Sequence, residues 1–190
     1  METGFGKQVP ADVLAQAIKG KRQAQHELYL VFAEPAYRLC LGMLGTTGLA
    51  EDAVQEAFIK AFKGLPSLTE TRALGGWLKR ICVHCALDLL AREKAGDTAE
   101  LSLVLDDDDW RSAADSLTRL DDIERLLGIL SQRERALVWL HVVEGHTFAE
   151  LGVMLAMTET ACRQACRRAL GKLAHRARQW EKRDERKAAL

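Results

Sequence analysis

What most restricts the fold of this chain is the spacing of its apolar residues. From Ala11 onward they recur at helical intervals, and no alternating run of β-branched residues is long enough to make a strand. An all-α architecture is therefore expected. Asp12 is placed to cap a short first helix that ends near Gly20, and a longer helix runs from about Gln23 to Gly45. Pro35 falls inside the longer one, where its missing amide hydrogen predicts a kink. After a turn at Gly45 to Gly48, residues 51–62 (EDAVQEAFIKAF) read as a third helix closed by Gly64 and Pro66. A polar loop, SLTETRALGG, leads to a fourth helix from Trp77 to Arg92.

Charge divides the chain where periodicity alone does not. Lys plus Arg and Asp plus Glu are equal at 27 each, yet the segment from Gly96 to Glu124 carries a net charge of −8, which leaves +8 on the rest. The flanking parts are thus moderately basic, which admits a nucleic-acid partner. Around the run Asp106 to Asp109 few residues could fix the chain to a core, so it reads as a tether between two small helical domains. The expected division is residues 1–95, an acidic linker at 96–120, a second domain at 121–180 and a frayed charged tail at 181–190. In the second domain Ser131 with Glu134, and Thr147 with Glu150, each make the capping-box pattern that starts a helix.

Three helical faces carry chemistry. Spacing residues 100° apart puts Ala53, Val54, Ala57, Phe58 and Ala61 on the core side of the third helix, opposite Asp52, Gln55, Glu56, Lys60 and Lys63. Ile59 lies within that polar side, either as an ordinary exposed residue or as a docking point. On the fourth helix Trp77, Arg80, His84, Asp88 and Arg92 share one stripe, against Cys82, Ala86, Leu89 and Leu90. An aromatic ring beside cations suits unstacked bases, while the plainer reading packs Trp77 under the preceding loop. Residues 147–172 read as helix, turn and helix, with Cys162, Cys166, Ala169 and Leu173 inward and Thr160, Arg163, Gln164, Arg167 and Arg168 outward. Arg pairs guanine edges and Gln adenine edges, and Thr160 at the helix start suits a phosphate.

No run of about 20 apolar residues is present to span a membrane, and METGFGKQVP lacks the order of a secretion signal, so membrane insertion is not expected and a cytoplasmic location is. Five cysteines then read as reduced thiols. No Gly-rich phosphate loop and no nucleophile with its base stand out, so neither an enzyme nor a cofactor is expected.

Taken in order, DAVQEAFIKAF, WLKRICVHCALDLLAR and the closing helix-turn-helix resemble regions two and four of the extracytoplasmic-function sigma factors of bacteria, over about Gln23 to Leu173. The resemblance implies an initiation factor that binds core RNA polymerase and promoter DNA. Asp52, Gln55, Glu56 and Ile59 would meet the clamp of the β′ subunit, and the second domain the β flap. The stretch from Pro66 to Gly76, with Trp77, Arg80, His84 and Arg92, would open and hold the minus-ten element. The helix opened by Thr158 would read the minus-thirty-five element with Thr160, Arg163, Gln164, Arg167 and Arg168. An anti-sigma factor is a further implied partner. This chain has His84 where the family usually has Asn, Ala156 where the turn usually has Gly, and Ala165 where a basic residue is frequent.

Two rival readings remain at this level. Cys82 and Cys85 around His84, with Cys162 and Cys166, offer four thiolates for zinc, although three of the four fall on core faces, so no metal is expected. A polymerase-independent helix-turn-helix regulator would explain the second domain and leave the first without a role.

Overall fold

A computed structural model of the protein describes residues 4–68, 73–92 and 126–188, with side chains as far as Trp180. The expected acidic linker and residues 69–72 of the polar loop lie outside the described residues. The chain divides into two compact units, Met1–Ala95 and Gly96–Leu190, and each is all-helical among the described residues.

In the first unit α1 spans Ala11–Ile18, α2 Arg22–Leu44, α3 Thr47–Gly64 and α4 Leu74–Arg92, with a short 3-10 turn at Leu65–Ser67. Helices α2, α3 and α4 pack on one another and α1 packs on α2. The five apolar positions expected on the inner side of α3 are all buried, and they meet Leu28, Phe32, Leu39 and Met43 of α2 and Leu78, Cys82 and Ala86 of α4 in one core. Gly45 ends α2 in the left-handed conformation, with its amide bonded to the Leu41 carbonyl.

Two local expectations need correction. Pro10, not Asp12, occupies the N-cap of α1, and no side chain caps that end; Asp12 lies in the first turn, where its charge still suits the helix dipole. Helix α4 begins at Leu74 rather than Trp77, so Gly75 and Gly76 are helical and not part of the loop. Pro35 sits inside α2, where the sequence places it.

Residues 4–10 form a strap across α2 and α4. Phe5 is buried, its ring stacked on Phe32 at 6.3 Å between centroids. Gly4 lies against the Pro35 ring, and a Cβ built on Gly75 would stand 1.8 Å from the Phe5 carbonyl oxygen. Only glycine lets the strap cross α4 there. Proline at 35 leaves the Val31 carbonyl without its helical donor, and Lys7 Nζ donates to that oxygen at 3.4 Å.

In the second unit α5 spans Gln132–Val138 and continues as a π-helical turn, Trp139–Val143; α6 spans Phe148–Leu155 and α7 Glu159–Ala188. Both expected capping boxes are present: Ser131 and Thr147 accept from the Glu134 and Glu150 amides, and each glutamate accepts in return from the N-cap amide. Leu140, Leu151, Cys162, Cys166, Ala169 and Leu173 close the core. Lys172 Nζ reaches Glu134 at 2.7 Å and ties α7 to the start of α5. Burial pushes the Glu134 carboxyl up, but Lys172 and Ser131 outweigh it and hold the pKa below its ordinary 4.5.

Helix α7 continues to Ala188, into the stretch expected as a charged tail. Beyond Leu173 the sequence has neither Gly nor Pro, and Ala, Arg, Lys, Gln and Glu, all strong helix formers, predominate.

Candidate functional site

In the first unit the polar face of α3 splits into two sides. Gln55 and Ile59 line an open groove with Phe58 of the same helix and Tyr29, Ala33 and Tyr37 of α2. Ile59 is 49% exposed and Tyr29 is also exposed, so the groove presents apolar surface to solvent beside Glu34 and Glu51. Glu56 turns the other way. It pairs with Lys60 at 3.0 Å and with Arg92 of α4 at 3.8 Å, while Lys60 also meets Asp88 at 3.3 Å. The hydrogen bond from Lys60 to Glu56, with Asp88 adding to it, raises the lysine pKa above its ordinary value. Asp52 is exposed between the two sides.

The structure therefore joins residues that the sequence assigned to different tasks: Glu56 of the docking group touches Arg92 of the α4 stripe. No periodicity argument could find this contact, since it depends on how α3 and α4 cross. Along α4, Arg80, His84 and Arg92 are exposed as expected. Trp77 is half-buried and lines a small apolar cavity with Phe62, Leu65 and Leu74; its ring edge would lie 3.2 Å from a Cβ at Gly64. The plainer reading of Trp77 is thus partly realised, although its partners are the end of α3 and the turn after it.

The cysteines sit in helical cores. All five are free and buried, and among the described residues no group of His, Cys, Asp or Glu is arranged to hold a metal ion. A hydrogen bond with Cys40, together with burial, pushes the Cys82 thiol far up, and burial does the same to Cys85. Such thiols are poor thiolates and poor ligands at neutral pH.

In the second unit Thr160, Arg163, Gln164, Arg167 and Arg168 are all exposed on the first turns of α7, while Cys162 and Cys166 face inward. Thr158 Oγ1 accepts from the Ala161 amide at 3.1 Å and so caps the helix. The turn between α6 and α7 is tight: Ala156 adopts φ 52° and ψ 48°, and a Cβ on Gly152 would come within 2.9 Å of the Met157 carbonyl oxygen. A left-handed alanine costs about 1–2 kcal/mol. Ala156→Gly is therefore expected to raise the unfolding free energy of this unit by about 1 kcal/mol, read by denaturant titration. An unchanged midpoint would contradict the strain.

Arg163 is held from two sides. It pairs with Glu159, and its guanidinium carbon lies 5.4 Å from the centre of the Phe148 ring. Phe148 stacks on His141 at 4.1 Å, and His141 Nδ1 is 2.8 Å from the His146 carbonyl oxygen. Exposed Val142, Val143 and Val153 add apolar surface to this unit.

Two units, one with an acid and apolar face and one with a basic helix-turn-helix, match known regions in order. The family profile for Sigma-70 region 2 matches residues 28–96, and that for Sigma-70, region 4 matches residues 120–173. The ECF RNA polymerase sigma factor SigM of Mycobacterium tuberculosis is 31% identical over 177 residues, spanning 90% of this chain and 87% of that protein. This chain is an ECF sigma factor of the sigma-70 family. Other relatives agree. SigW of Bacillus subtilis is 27% identical over 154 residues, covering 75% of this chain and 82% of its own, and SigD of Mycobacterium bovis is 29% identical over 175 residues, covering 85% and 80%. The strap and α1 of this sigma factor precede the matched part of region 2, and the last turns of α7 follow the matched part of region 4. No described helix is long and apolar enough to cross a membrane.

Proposed function

We propose that the protein binds core RNA polymerase through its first unit, reads promoter DNA with both units and assists strand opening. The observation that carries this reading is the pairing, in family order, of the Asp52, Gln55 and Ile59 face with the Arg and Gln face of α7. Asp52, Gln55 and Ile59 take the β′ clamp, with Glu56 contributing from its ion-pair network, and the second unit takes the β flap. Trp77, Arg80, His84 and Arg92 face the minus-ten strand, with Trp77 offering the part of its ring that packing leaves open. Arg163, Gln164, Arg167 and Arg168 face the minus-thirty-five element, with Thr158 and Thr160 at the phosphate end of the helix. The chain works in the cytoplasm under an anti-sigma factor and carries no reaction of its own, because the chemistry belongs to the polymerase.

Sequencing the transcripts made from genomic DNA by polymerase reconstituted with this protein tests the reading. Discrete start sites that depend on the added chain are expected, and a transcript set identical to that of bare polymerase would end the proposal. In the same assay Arg167→Ala should weaken promoter binding by about 1–3 kcal/mol with relaxed choice at one base pair, if a guanine edge is its target. An equal loss on all sequences would assign Arg167 to phosphate.

A further inference from the structure

Arg163 is held between Glu159 of its own helix and a ring that belongs to another. Phe148 is the first residue of α6, and it is backed by His141, which comes from the π-helical turn after α5. Three consecutive elements thus contribute to the position of one exposed guanidinium. An arginine side chain has substantial rotamer entropy to lose on ordering. A side chain ordered beforehand has less to lose on binding, and its geometry is more selective because it cannot follow a shifted donor or acceptor.

We infer that Phe148 is a positioning residue for promoter choice: its ring, braced by His141, fixes the Arg163 guanidinium for one base pair of the upstream element. The inference rests on the placement of Arg163 against DNA given above. Glu159 takes Nη2 of the guanidinium, and the other in-plane donors serve the base edge. The ring supplies the face, where a cation gains from the aromatic quadrupole without spending a donor. His141 acts one step further back. Its Nδ1 contact with the His146 carbonyl sets the imidazole plane, and the stacked imidazole keeps Phe148 from turning away.

The experiment uses holoenzyme assembled from core polymerase and the full chain, and a pool of promoter-length duplexes with a randomised upstream window. Bound duplexes are sequenced for the native protein and for Arg163→Ala, Phe148→Leu and Phe148→Tyr. Arg163→Ala should erase the preference at one base pair. Phe148→Leu, which keeps apolar bulk and removes the ring face, should reduce the preference at that same pair about three- to fivefold and spare the others. Phe148→Tyr should restore it. If Phe148→Leu keeps the preference, or lowers all positions alike, Phe148 only supports the fold and the inference is overturned, while the placement of Arg163 stands. If Arg163→Ala changes no position, both fall together.

Discussion

Gly75→Ala should expel the N-terminal strap from the first unit and lower its unfolding free energy by about 2–4 kcal/mol. The added methyl would stand 1.8 Å from the Phe5 carbonyl oxygen and 2.9 Å from its carbon, and both are backbone atoms that no rotamer change can move aside. The strap must lift, and Phe5 leaves Phe32. Losing a buried phenylalanine costs about 3–5 kcal/mol, offset by up to about 1 kcal/mol from the better helix former. The adjacent position supplies the control. A Cβ on Gly76 meets nothing within 4 Å, so Gly76→Ala should be neutral or stabilise by up to about 1 kcal/mol. Urea titration of the two variants decides it, and equal midpoints would mean that the strap does not hold α4.

Asp52→Lys combined with Ile59→Glu should weaken association with core polymerase by about a hundredfold or more, as expected when an apolar anchor and a neighbouring charge are both reversed in character. Both side chains are exposed on α3, so the helical content and melting of the variant should match the native protein. Glu56 is left unchanged because its links to Lys60 and Arg92 would mix a docking defect with a disturbance of α4. Normal co-elution of the double variant with polymerase would remove this face from the interface.

How much of this was legible beforehand follows from the range of the interaction concerned. The inner face of α3, both capping boxes and the exposed row from Thr160 to Arg168 depend on residues within a turn or two of each other, and periodicity finds them. The left-handed Ala156 is local as well: the glycine usual at that position points to it and the backbone angles show it. Sequence alone misplaces the start of α4 because Gly75 and Gly76 look like loop residues, whereas Gly75 is there to admit the Phe5 carbonyl. Nothing in METGFGKQVP signals that contact. The turning of Glu56 toward Arg92 and the stacking of Phe148 between His141 and Arg163 likewise depend on helix crossings, which sequence spacing does not specify. In each case the polar residue itself was visible and its tertiary partner was not.

Lys7 and Pro35 are 28 positions apart, yet each alters what the other is worth. The imino acid strips one carbonyl of its natural mate, and the ammonium answers it from outside the helix. With an ordinary residue at 35, that oxygen would regain an amide and the lysine would add only a second donor to it. Substitutions at the two sites should accordingly be non-additive, so that the chain's opening residues are tied to the interior of α2 by chemistry as well as by fit.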